Sequence, residues 1–463
     1  MERPVAGCVL GLWGTRTGCG PLLLTLLLRA LSGTTHAADD GAVFVDLAFW
    51  REPQDTVVVR GGVLRLDCEA RWDWLSTALA PPSPALAPPS LSWRKDGVAL
   101  GSFVDERRTQ MWNGTLLIQN VVHARHQRSD EGRYQCIAAL EGVGSIASRT
   151  ARVTVAGPLR VLAPTDSTSS HLGDSALFRC EVLGDPAPEV RWQKDGLDMD
   201  LRRSPDSRLA LLPSGALLVS AVQPSDSALY RCVAHNAGST RTGNDATLRV
   251  LSEPGVPRSL SFLLRPSSVN APLGTDAVLE CSASGFPSPS VTWRRGDEIL
   301  QTWNKKYWLL GGSSLVISSV TVDDSGTYVC TASNKLQNIS STGRLEVLVP
   351  PQFLSFPSSS AALESTDVEL ECAVTGNPPP TVRWVKNGEE VIPSDYFQIV
   401  DGSTLQVLGL VKSDEGFYQC VAENAVGIAM ATAQLLVREP GKPHPPVTLS
   451  DSLGPSRTLS DSL

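Results

Sequence analysis

The sequence contains few of the residues and motifs on which catalysis and metal binding depend. It has only six histidines among 463 residues, and they are scattered along the chain. It has no G-x-S-x-G string, no H-E-x-x-H string, no phosphate-binding loop and no kinase signature set. We therefore expect neither an enzyme nor a bound cofactor, and we expect no metal site.

Charge and composition exclude three other classes of protein. The 40 basic residues are outnumbered by 48 acidic ones, so the formal charge of −8 does not favour nucleic acid as a partner. Hydrophobic residues make up 42% of the chain and charged residues 19%, which argues against a disordered chain and a polytopic membrane protein. At roughly 150 residues per domain, the length alone suggests about three folded domains.

An N-terminal secretory signal peptide is predicted over residues 1–37. Two arginines precede a short apolar run at residues 21–28 (PLLLTLLL), and small residues occupy the −3 and −1 positions of a cleavage site ending at Ala37. A run of about eight apolar residues is too short to cross ~30 Å of hydrocarbon, which disfavours a membrane anchor. Cleavage near Ala37 removes Cys8 and Cys19 and leaves eight cysteines to enter an oxidising compartment.

The eight remaining cysteines fall into four pairs. Their members are separated by 68, 52, 49 and 48 residues. A zinc site would need cysteines two to four residues apart, and no such pair occurs among the eight. We therefore predict four disulfides: Cys68–Cys136, Cys180–Cys232, Cys281–Cys330 and Cys372–Cys420.

A tryptophan and a tyrosine accompany each cysteine pair. In three units the tryptophan follows the first cysteine by twelve positions; in the first unit an Ala/Pro/Ser-rich insert at residues 75–89 lengthens this interval by thirteen. Each second cysteine ends a D-x-[GA]-x-Y-x-C string. The tryptophans are Trp93, Trp192, Trp293 and Trp384, and the tyrosines are Tyr134, Tyr230, Tyr328 and Tyr418.

This pattern is typical of an immunoglobulin β-sandwich repeated four times. In that fold the disulfide joins two sheets, the tryptophan packs against it, and the tyrosine hydroxyl bonds back to the chain just upstream. Alternating apolar residues around each first cysteine agree with strands. We predict an all-β chain of four tandem, I-set-like domains at residues 44–155, 159–250, 260–348 and 352–437, followed by a disordered tail at 438–463.

The junctions between the predicted domains differ in length. Residues 156–158 and the pair Pro350-Pro351 leave almost no slack, whereas residues 251–259 (LSEPGVPRS) could span ~30 Å between the second and third domains. That length permits the chain to reverse into a horseshoe, with domain 1 on domain 4 and domain 2 on domain 3. An extended rod with a flexible middle joint fits the same linker equally well.

Several segments resemble the DCC/neogenin family of guidance receptors, in the same domain order over about residues 44–438. The resemblance implies that the four immunoglobulin domains form a horseshoe. The segments that carry it are residues 113–126 (NGTLLIQNVVHARH), 148–162 (SRTARVTVAGPLRVL), 212–217 (LPSGAL), 305–317 (KKYWLLGGSSLVI) and 391–424 (VIPSDYFQIVDGSTLQVLGLVKSDEGFYQCVAEN).

The chain departs from that family after its fourth domain. Family receptors continue into fibronectin type III domains, a membrane span and a cytoplasmic tail. Here a Pro/Ser-rich tail follows, in which TLSDSL recurs at residues 448–453 and 458–463, with no apolar run of ~20 residues. In the family the main contacts with netrin-class ligands and repulsive guidance molecules lie on the fibronectin domains. We therefore carry over no ligand-contact residue and expect little netrin binding. The insert at residues 75–89 also lies outside the family pattern.

Two small motifs have both a binding and a structural interpretation. The RGD string at Arg295 to Asp297 could bind an integrin, but it occupies the turn after Trp293 that other domains fill with KDG or KNG. We favour the ordinary turn. His123 and His126 lie beside two arginines, and we favour a solvated loop over a metal or heparin site.

Two N-glycosylation sequons are present, Asn113-Gly114-Thr115 and Asn338-Ile339-Ser340. In a secreted chain we predict a glycan on Asn113 and another on Asn338.

Recognition is the function that this fold supports, because immunoglobulin sandwiches bind through their faces and loops. Three hypotheses stay open: a receptor ectodomain, or a shortened form of one, acting in adhesion and axon guidance; a secreted modulator that competes with such receptors; and an extracellular protein whose repeats are spacers. The chain as written favours secretion, and a truncated receptor would restore the plasma membrane. The expected partners are extracellular or cell-surface proteins such as guidance cues and adhesion partners.

Overall fold

The computed structural model describes residues 43–75, 87–102, 106–123, 129–201, 207–252 and 256–440. The predicted signal peptide, the interior of the insert and the tail beyond residue 440 lie outside these residues. Over the described residues the regular structure is β-strand, apart from short 3-10 turns. Those turns are Leu100–Ser102, Pro224–Asp226, Val322–Asp324 and Lys412–Asp414.

Domain 1 shows why these sequences form half-buried strands. In β3 and β8 the apolar residues alternate with partly or fully exposed ones, so Leu64 and Leu66 enter the core while Arg65 faces solvent. The strands of domain 1 are β1 (Phe44–Arg51), β2 (Thr56–Val59), β3 (Leu64–Leu66), β4 (Glu69–Leu75), β5 (Ser90–Lys95), β6 (Val98–Ala99), β7 (Arg108–Gln110), β8 (Leu116–Ile118), β9 (Gly132–Leu140), β10 (Gly144–Ala147) and β11 (Ala151–Ala156).

The same succession recurs in the rest of the chain. Domain 2 contains β12 (Arg160–Ala163), β13 (Thr168–His171), β14 (Ala176–Phe178), β15 (Glu181–Leu183), β16 (Glu189–Lys194), β17 (Leu197–Asp198), β18 (Leu209–Leu211), β19 (Leu217–Val219), β20 (Ala228–His235), β21 (Thr240–Thr242) and β22 (Ala246–Leu251). Domain 3 contains β23 (Arg258–Leu264), β24 (Val269–Pro272), β25 (Ala277–Leu279), β26 (Ser282–Phe286), β27 (Ser290–Arg295), β28 (Glu298–Ile299), β29 (Tyr307–Leu310), β30 (Ser314–Ile317), β31 (Gly326–Ser333) and the first part of β32 (Asn338–Ser355). Domain 4 contains the rest of β32, then β33 (Ser360–Leu363), β34 (Val368–Leu370), β35 (Ala373–Asn377), β36 (Thr381–Lys386), β37 (Glu389–Glu390), β38 (Phe397–Val400), β39 (Thr404–Val407), β40 (Gly416–Asn424) and β41 (Gly427–Arg438).

Each domain is a sandwich of a larger front sheet and a three-stranded back sheet. In domain 1 the front sheet has the order β2-β11-β9-β5-β6, with β10 also paired to β9, and the back sheet has the order β3-β8-β7. The front sheets of the other domains follow the same order, β13-β22-β20-β16-β17, β24-β32-β31-β27-β28 and β33-β41-β40-β36-β37. In all four, the short strand at one edge runs parallel to the last strand of the domain. The predicted fold class is confirmed, while the exact domain boundaries stay a prediction.

Two features of the fold bear on the predicted junctions and on the predicted insert. Strand β32 runs without interruption from domain 3 into domain 4 and pairs with β31 on one side of the junction and β35 on the other. In domain 1, β4 pairs with β1 along nearly its whole length, so β4 is longer than its counterpart β15 and carries the chain to the start of the predicted insert.

The front sheets of domains 1 and 4 pack against each other. Ile137 and Ala147 of domain 1 are buried with Val385 and Val421 of domain 4. Gln419 lies in this contact, where its Nε2 donates to the carbonyl of Ala147 and its Oε1 accepts from the Ala147 N–H, at 2.9 and 2.7 Å.

Domains 2 and 3 also pack on each other, through the back sheet of domain 2. Leu264 and Leu310 of domain 3 cover a buried patch that includes Ala210, Leu212 and Leu218. The chain therefore reverses between domains 2 and 3 and closes the horseshoe, which linker length alone left undecided.

Candidate recognition surface

Each sandwich is built around a disulfide and a buried tryptophan. The structure joins the four predicted cysteine pairs, with Cα–Cα distances of 6.1 to 6.6 Å. In each domain the indole Nε1–H of the core tryptophan donates to a backbone carbonyl at 2.8 to 3.0 Å. Sequence reasoning did not find these acceptors, which belong to the turn before the middle strand of the back sheet: Gly114, Gly215, Ser313 and Ser403. The bond fixes that turn against the core.

The four predicted tyrosines are placed alike. Each hydroxyl donates to the main-chain carbonyl of the aspartate four residues upstream, at 2.8 to 3.0 Å. Burial raises the pKa of all four phenols above its usual value near 10, so the hydroxyls stay protonated donors at physiological pH. The pairs are Tyr134–Asp130, Tyr230–Asp226, Tyr328–Asp324 and Tyr418–Asp414.

The carboxylates of those four aspartates are buried against cations that sequence reasoning missed. In domains 2 and 3 the cation lies 18 residues upstream of the aspartate, in the pairs Arg208–Asp226 at 2.9 Å and Lys306–Asp324 at 2.6 Å. Domain 1 uses both Arg107 and Arg108 on Asp130, at 2.8 and 3.1 Å. In domains 2 and 3, a basic residue 18 positions before the aspartate of the D-x-[GA]-x-Y-x-C string was the available signal.

Domain 4 satisfies its aspartate differently. Tyr396 occupies the position 18 residues before Asp414 and donates its hydroxyl to that carboxylate, while Lys386 supplies the cation at 2.9 Å. Burial and the hydrogen bond to Asp414 raise the pKa of Tyr396 to about 12. A neutral donor and a lysine from another strand thus replace the single cation of domains 2 and 3.

Three of these aspartates have a lowered pKa. Burial by itself penalises the carboxylate form, but hydrogen bonds from neighbouring side chains and from one backbone N–H outweigh that penalty. The pKa is lowered for Asp130, Asp324 and Asp414. These groups are therefore ionised and structural at neutral pH.

The RGD string forms the predicted turn between β27 and β28. The Arg295 guanidinium donates to the carbonyl of Ser325 at 3.1 Å and lies 5.7 Å from the centre of the Tyr328 ring. Lys194 has the same role in domain 2, where it donates to the carbonyl of Ser225 and lies over Tyr230. The arginine is thus engaged by its own domain, as the structural interpretation requires.

The predicted histidine and sequon residues are only partly described. His123 lies 3.5 Å from Glu131, while His126 falls outside the described residues. Over the part of the chain that the structure describes, no group of three possible metal ligands occurs. Asn113 is half-buried in the turn before β8, and Asn338 is exposed at the start of β32.

An apolar groove of about 700 Å³ lies where domain 2 meets domain 3. Leu201, Leu211 and Val190 line it from domain 2, and Leu310 and Trp308 line it from domain 3. The groove is formed by both domains, so it exists because the chain reverses between them. Clefts between domains are among the places where ligands and partners bind.

Two exposed tryptophans extend the groove onto the surface of domain 3. Trp303 and Trp308 pair across a short hairpin and are 80% and 40% exposed. Asn304 fixes the hairpin because its Oδ1 accepts from the N–H groups of Lys306 and Tyr307, at 2.9 and 2.7 Å. We call Trp303, Trp308 and the exposed Lys305 between them the tryptophan patch. Exposed aromatic side chains beside an apolar groove are the usual anchors of protein interfaces.

Comparisons with known proteins identify the repeats and their arrangement. An immunoglobulin I-set domain model matches residues 351–437, and an immunoglobulin domain model matches residues 160–236 and 261–334. The first four immunoglobulin domains of Dscam1 isoform 7.44 superpose with a TM-score of 0.67 at 24% identity, covering 86% of this chain and 100% of that one. That likeness supports the fold alone.

Sequence relatives are more informative. The rat (Rattus norvegicus) protein named netrin receptor DCC is 55% identical over 401 residues, which are 86% of this chain and 27% of the relative. Rat neogenin is 45% identical over 406 residues, 88% of this chain and 28% of the relative. The chain thus spans little more than a quarter of the length of these relatives. Among the described residues, no helix is long and apolar enough to cross a membrane.

Proposed function

Because the chain belongs to the DCC and neogenin family over its immunoglobulin region, we propose that it acts in cell adhesion and axon guidance as an extracellular recognition protein. The observation that carries the proposal is the 55% identity to the rat protein named netrin receptor DCC over 401 residues, 86% of this chain. Immunoglobulin sandwiches bind through their faces and loops, so binding through a surface is the activity that the proposal has to explain.

We propose the tryptophan patch and the adjoining groove as the contact surface. The front sheets of domains 1 and 4 pack against each other, and Ile137 and Val421 are buried in that contact. The groove between domains 2 and 3 stays open, with Trp308 at its edge. A partner that inserts an apolar side chain there and covers the patch would bury ~800 Å² on this chain, the usual size of a specific interface.

The partner that fits is an extracellular or cell-surface protein. Lys305 is exposed between the two tryptophans, so an acidic residue at the rim of the partner surface would complement it. Netrin-class ligands are expected to bind weakly or not at all, because the family resemblance places those contacts on fibronectin domains. The predicted signal peptide at residues 1–37 supports export, and release from cells is part of the proposal.

The full chain expressed in animal cells tests this function. We expect it in the conditioned medium, and we expect the purified protein to bind neurons or cells that express guidance receptors. Replacing Trp303→Ala together with Trp308→Ala should abolish that binding, since anchor side chains carry most of an interface's affinity. Trp50→Ala is the matched control, because Trp50 is 67% exposed but lies in domain 1.

Three results would count against the proposal. Equal cell binding by the double variant and the parent would remove the tryptophan patch as the contact. Nanomolar binding of a netrin-class ligand would show that these immunoglobulin domains hold determinants we have placed elsewhere. Retention on the producing cells without a partner would exclude the released form.

A further inference from the structure

The turn before β8 in domain 1 shares its backbone bonds with the turn of domain 2 but carries different side chains. It is closed by two backbone bonds, from the Gly114 N–H to the carbonyl of Met111 at 3.0 Å and from the Met111 N–H to that of Thr115 at 2.8 Å. Trp112 and Asn113 are the two central residues of this β-turn, and Gly114 follows with φ +90°. The core indole of Trp93 donates to the carbonyl of Gly114 and so fixes the turn to the sandwich.

Trp112 is 96% exposed, more than any other large apolar side chain among the described residues. The residues at the same position of the other three turns are Pro213, Gly311 and Asp401. Only this turn also holds a sequon, with the predicted glycan site at Asn113 next to the tryptophan. The exposed faces of the indole are apolar surface in contact with water, so an apolar face held next to them would cover them favourably.

We propose that the first N-acetylglucosamine of a glycan on Asn113 stacks on the indole face of Trp112. Neighbouring Cα atoms are only ~3.8 Å apart, so a sugar on Asn113 lies within reach of the Trp112 ring at the tip of the same turn. The apolar C–H face of a pyranose ring complements the electron-rich face of an indole. The indole of Trp112 therefore supports the sugar ring, and the sugar ring shields the indole from water.

The hydrogen bonds of the sequon leave the attachment atom available. The Oδ1 of Asn113 accepts from the Thr115 N–H at 3.2 Å, which orients the side-chain amide, and no described group bonds its Nδ2. The sugar can thus be carried on Nδ2 without breaking the turn.

The burial of Thr115 indicates when the glycan is added to Asn113. Its hydroxyl is fully buried and donates to Asp67 at 3.0 Å, so the folded domain hides the sequon residue that the transferase must recognise. The glycan must therefore be added before domain 1 folds. The inference rests on secretion, which is part of the proposed function.

Chemical footprinting tests the stacking directly. The full chain is secreted from animal cells, its glycans are trimmed to a single N-acetylglucosamine, and its exposed tryptophans are oxidised and quantified by peptide mass spectrometry. The comparison is with Asn113→Asp, which keeps an oxygen for the Thr115 N–H but carries no sugar. Trp303, which is also exposed, is the internal control, and Asn338→Asp is the matched loss of the other glycan.

We expect oxidation of Trp112 to be several-fold slower in the parent than in Asn113→Asp, with Trp303 unchanged and Asn338→Asp like the parent. We also expect nuclear Overhauser contacts between the sugar and the indole, which Trp112→Ala removes. Equal oxidation of Trp112 with and without its glycan would overturn the inference. An unmodified Asn113 beside a glycosylated Asn338 would overturn it and leave the proposed function standing, whereas two unmodified sequons would also count against export.

Discussion

The two contacts that close the horseshoe use different chemistry. Between domains 1 and 4 the fully buried polar groups are neutral: the amides of Gln419 and Gln434 bond to the backbone of Ala147 and to the N–H of Val45. The ion pair of this contact, Arg94–Glu389, lies at its rim. Between domains 2 and 3 a buried carboxylate, Asp174, binds the guanidinium of Arg258 at 2.8 Å. The buried part of the first contact is therefore uncharged, and that of the second is not.

Chain connectivity explains why the two contacts hold their domains together with different chemistry. Only residues 252–257 separate β22 of domain 2 from β23 of domain 3, so each domain is held at high effective concentration near the other. An apolar patch, the Asp174–Arg258 ion pair and hydrogen bonds such as that from Ser220 Oγ to the Gly311 carbonyl then suffice. Domain 1 reaches domain 4 from the far end of the chain, and its register is fixed by directional bonds. The amide of Gln419 fits a backbone N–H and a C=O at once, which a rotated or shifted domain could not satisfy.

Lowering the pH should cause the largest loss of stability. The loss should arise inside the sandwiches rather than at the contacts between domains. The pKa of Asp130, Asp324 and Asp414 is lowered in the folded chain, so the stability they contribute is fully present above their unfolded pKa near 4. It is lost as the pH falls through the lower folded values. Melting curves from pH 7 to pH 2.5 should stay level to about pH 4 and then fall steeply.

The matched variant for the acid experiment is Asp130→Asn. Domain 1 should then be less stable at neutral pH, because Arg107 and Arg108 lose their charged partner, and its remaining acid dependence should be weaker. A steep loss of stability well above pH 4 in the parent would show that other groups control acid unfolding.

Gln419→Glu is expected to open the contact between domains 1 and 4. The new carboxylate would face the carbonyl of Ala147 with no donor to offer and would bury an unpaired charge, at about 3–5 kcal/mol. Small-angle scattering should show a longer maximum dimension while each sandwich stays folded.

Gln135→Glu is the control for that variant. Gln135 precedes its cysteine as Gln419 does, but it donates to Ser148 within its own domain and is only half-buried. It should leave the scattering profile unchanged. An unopened Gln419→Glu variant would mean that the apolar contact alone holds domain 1 on domain 4.

The sequence predicted the parts of the molecule that depend on local pattern. The cysteine pairs, the core tryptophans and the tyrosine corners follow from fixed spacings, and the turn predicted after Trp293 lies at Gly296 and Asp297, with Arg295 as the last residue of β27. The contact amides could not be predicted, because a glutamine at an alternate position of a strand, such as Gln419, reads as solvent-facing. The horseshoe itself came from family resemblance, since residues 251–259 permit two arrangements.

The candidate surface is a second feature that the sequence alone did not predict. Trp308 lies in the segment at residues 305–317 that resembles a known family, and Trp303 lies just before it; nothing in that resemblance marks either as exposed. Asn304 folds the hairpin that carries both tryptophans, and Trp308 lines a groove whose other wall is domain 2. Such a site requires the packing of two domains, which no single repeat encodes.

Asp174→Asn should loosen the contact between domains 2 and 3 by a smaller amount. The variant removes the charge that holds Arg258, which costs about 1–3 kcal/mol, but the amide oxygen can still accept from the N–H of Gly285. Hydrogen exchange should rise in β23 and in the turn around Asp174. Asp198→Asn, at an exposed ion pair with Arg191, should change neither. Equal exchange in all three proteins would assign the contact to its apolar patch.

Glu389→Gln should have the smallest effect, because its ion pair with Arg94 lies at the rim of the contact between domains 1 and 4 and Glu389 is 74% exposed. Exposed pairs contribute about 0–1 kcal/mol and are screened by salt. Arg94 also donates to the carbonyl of Gly388 at 2.7 Å, and that partly buried bond survives the substitution. The melting temperature and the maximum dimension should therefore match the parent at both low and high salt. Arg94→Met provides the contrast, since it leaves the Gly388 carbonyl unpaired and should destabilise the contact by about 1–3 kcal/mol. If Glu389→Gln opened the horseshoe at low salt, the contact between domains 1 and 4 would depend on charge after all, and the distinction between the two contacts would fail.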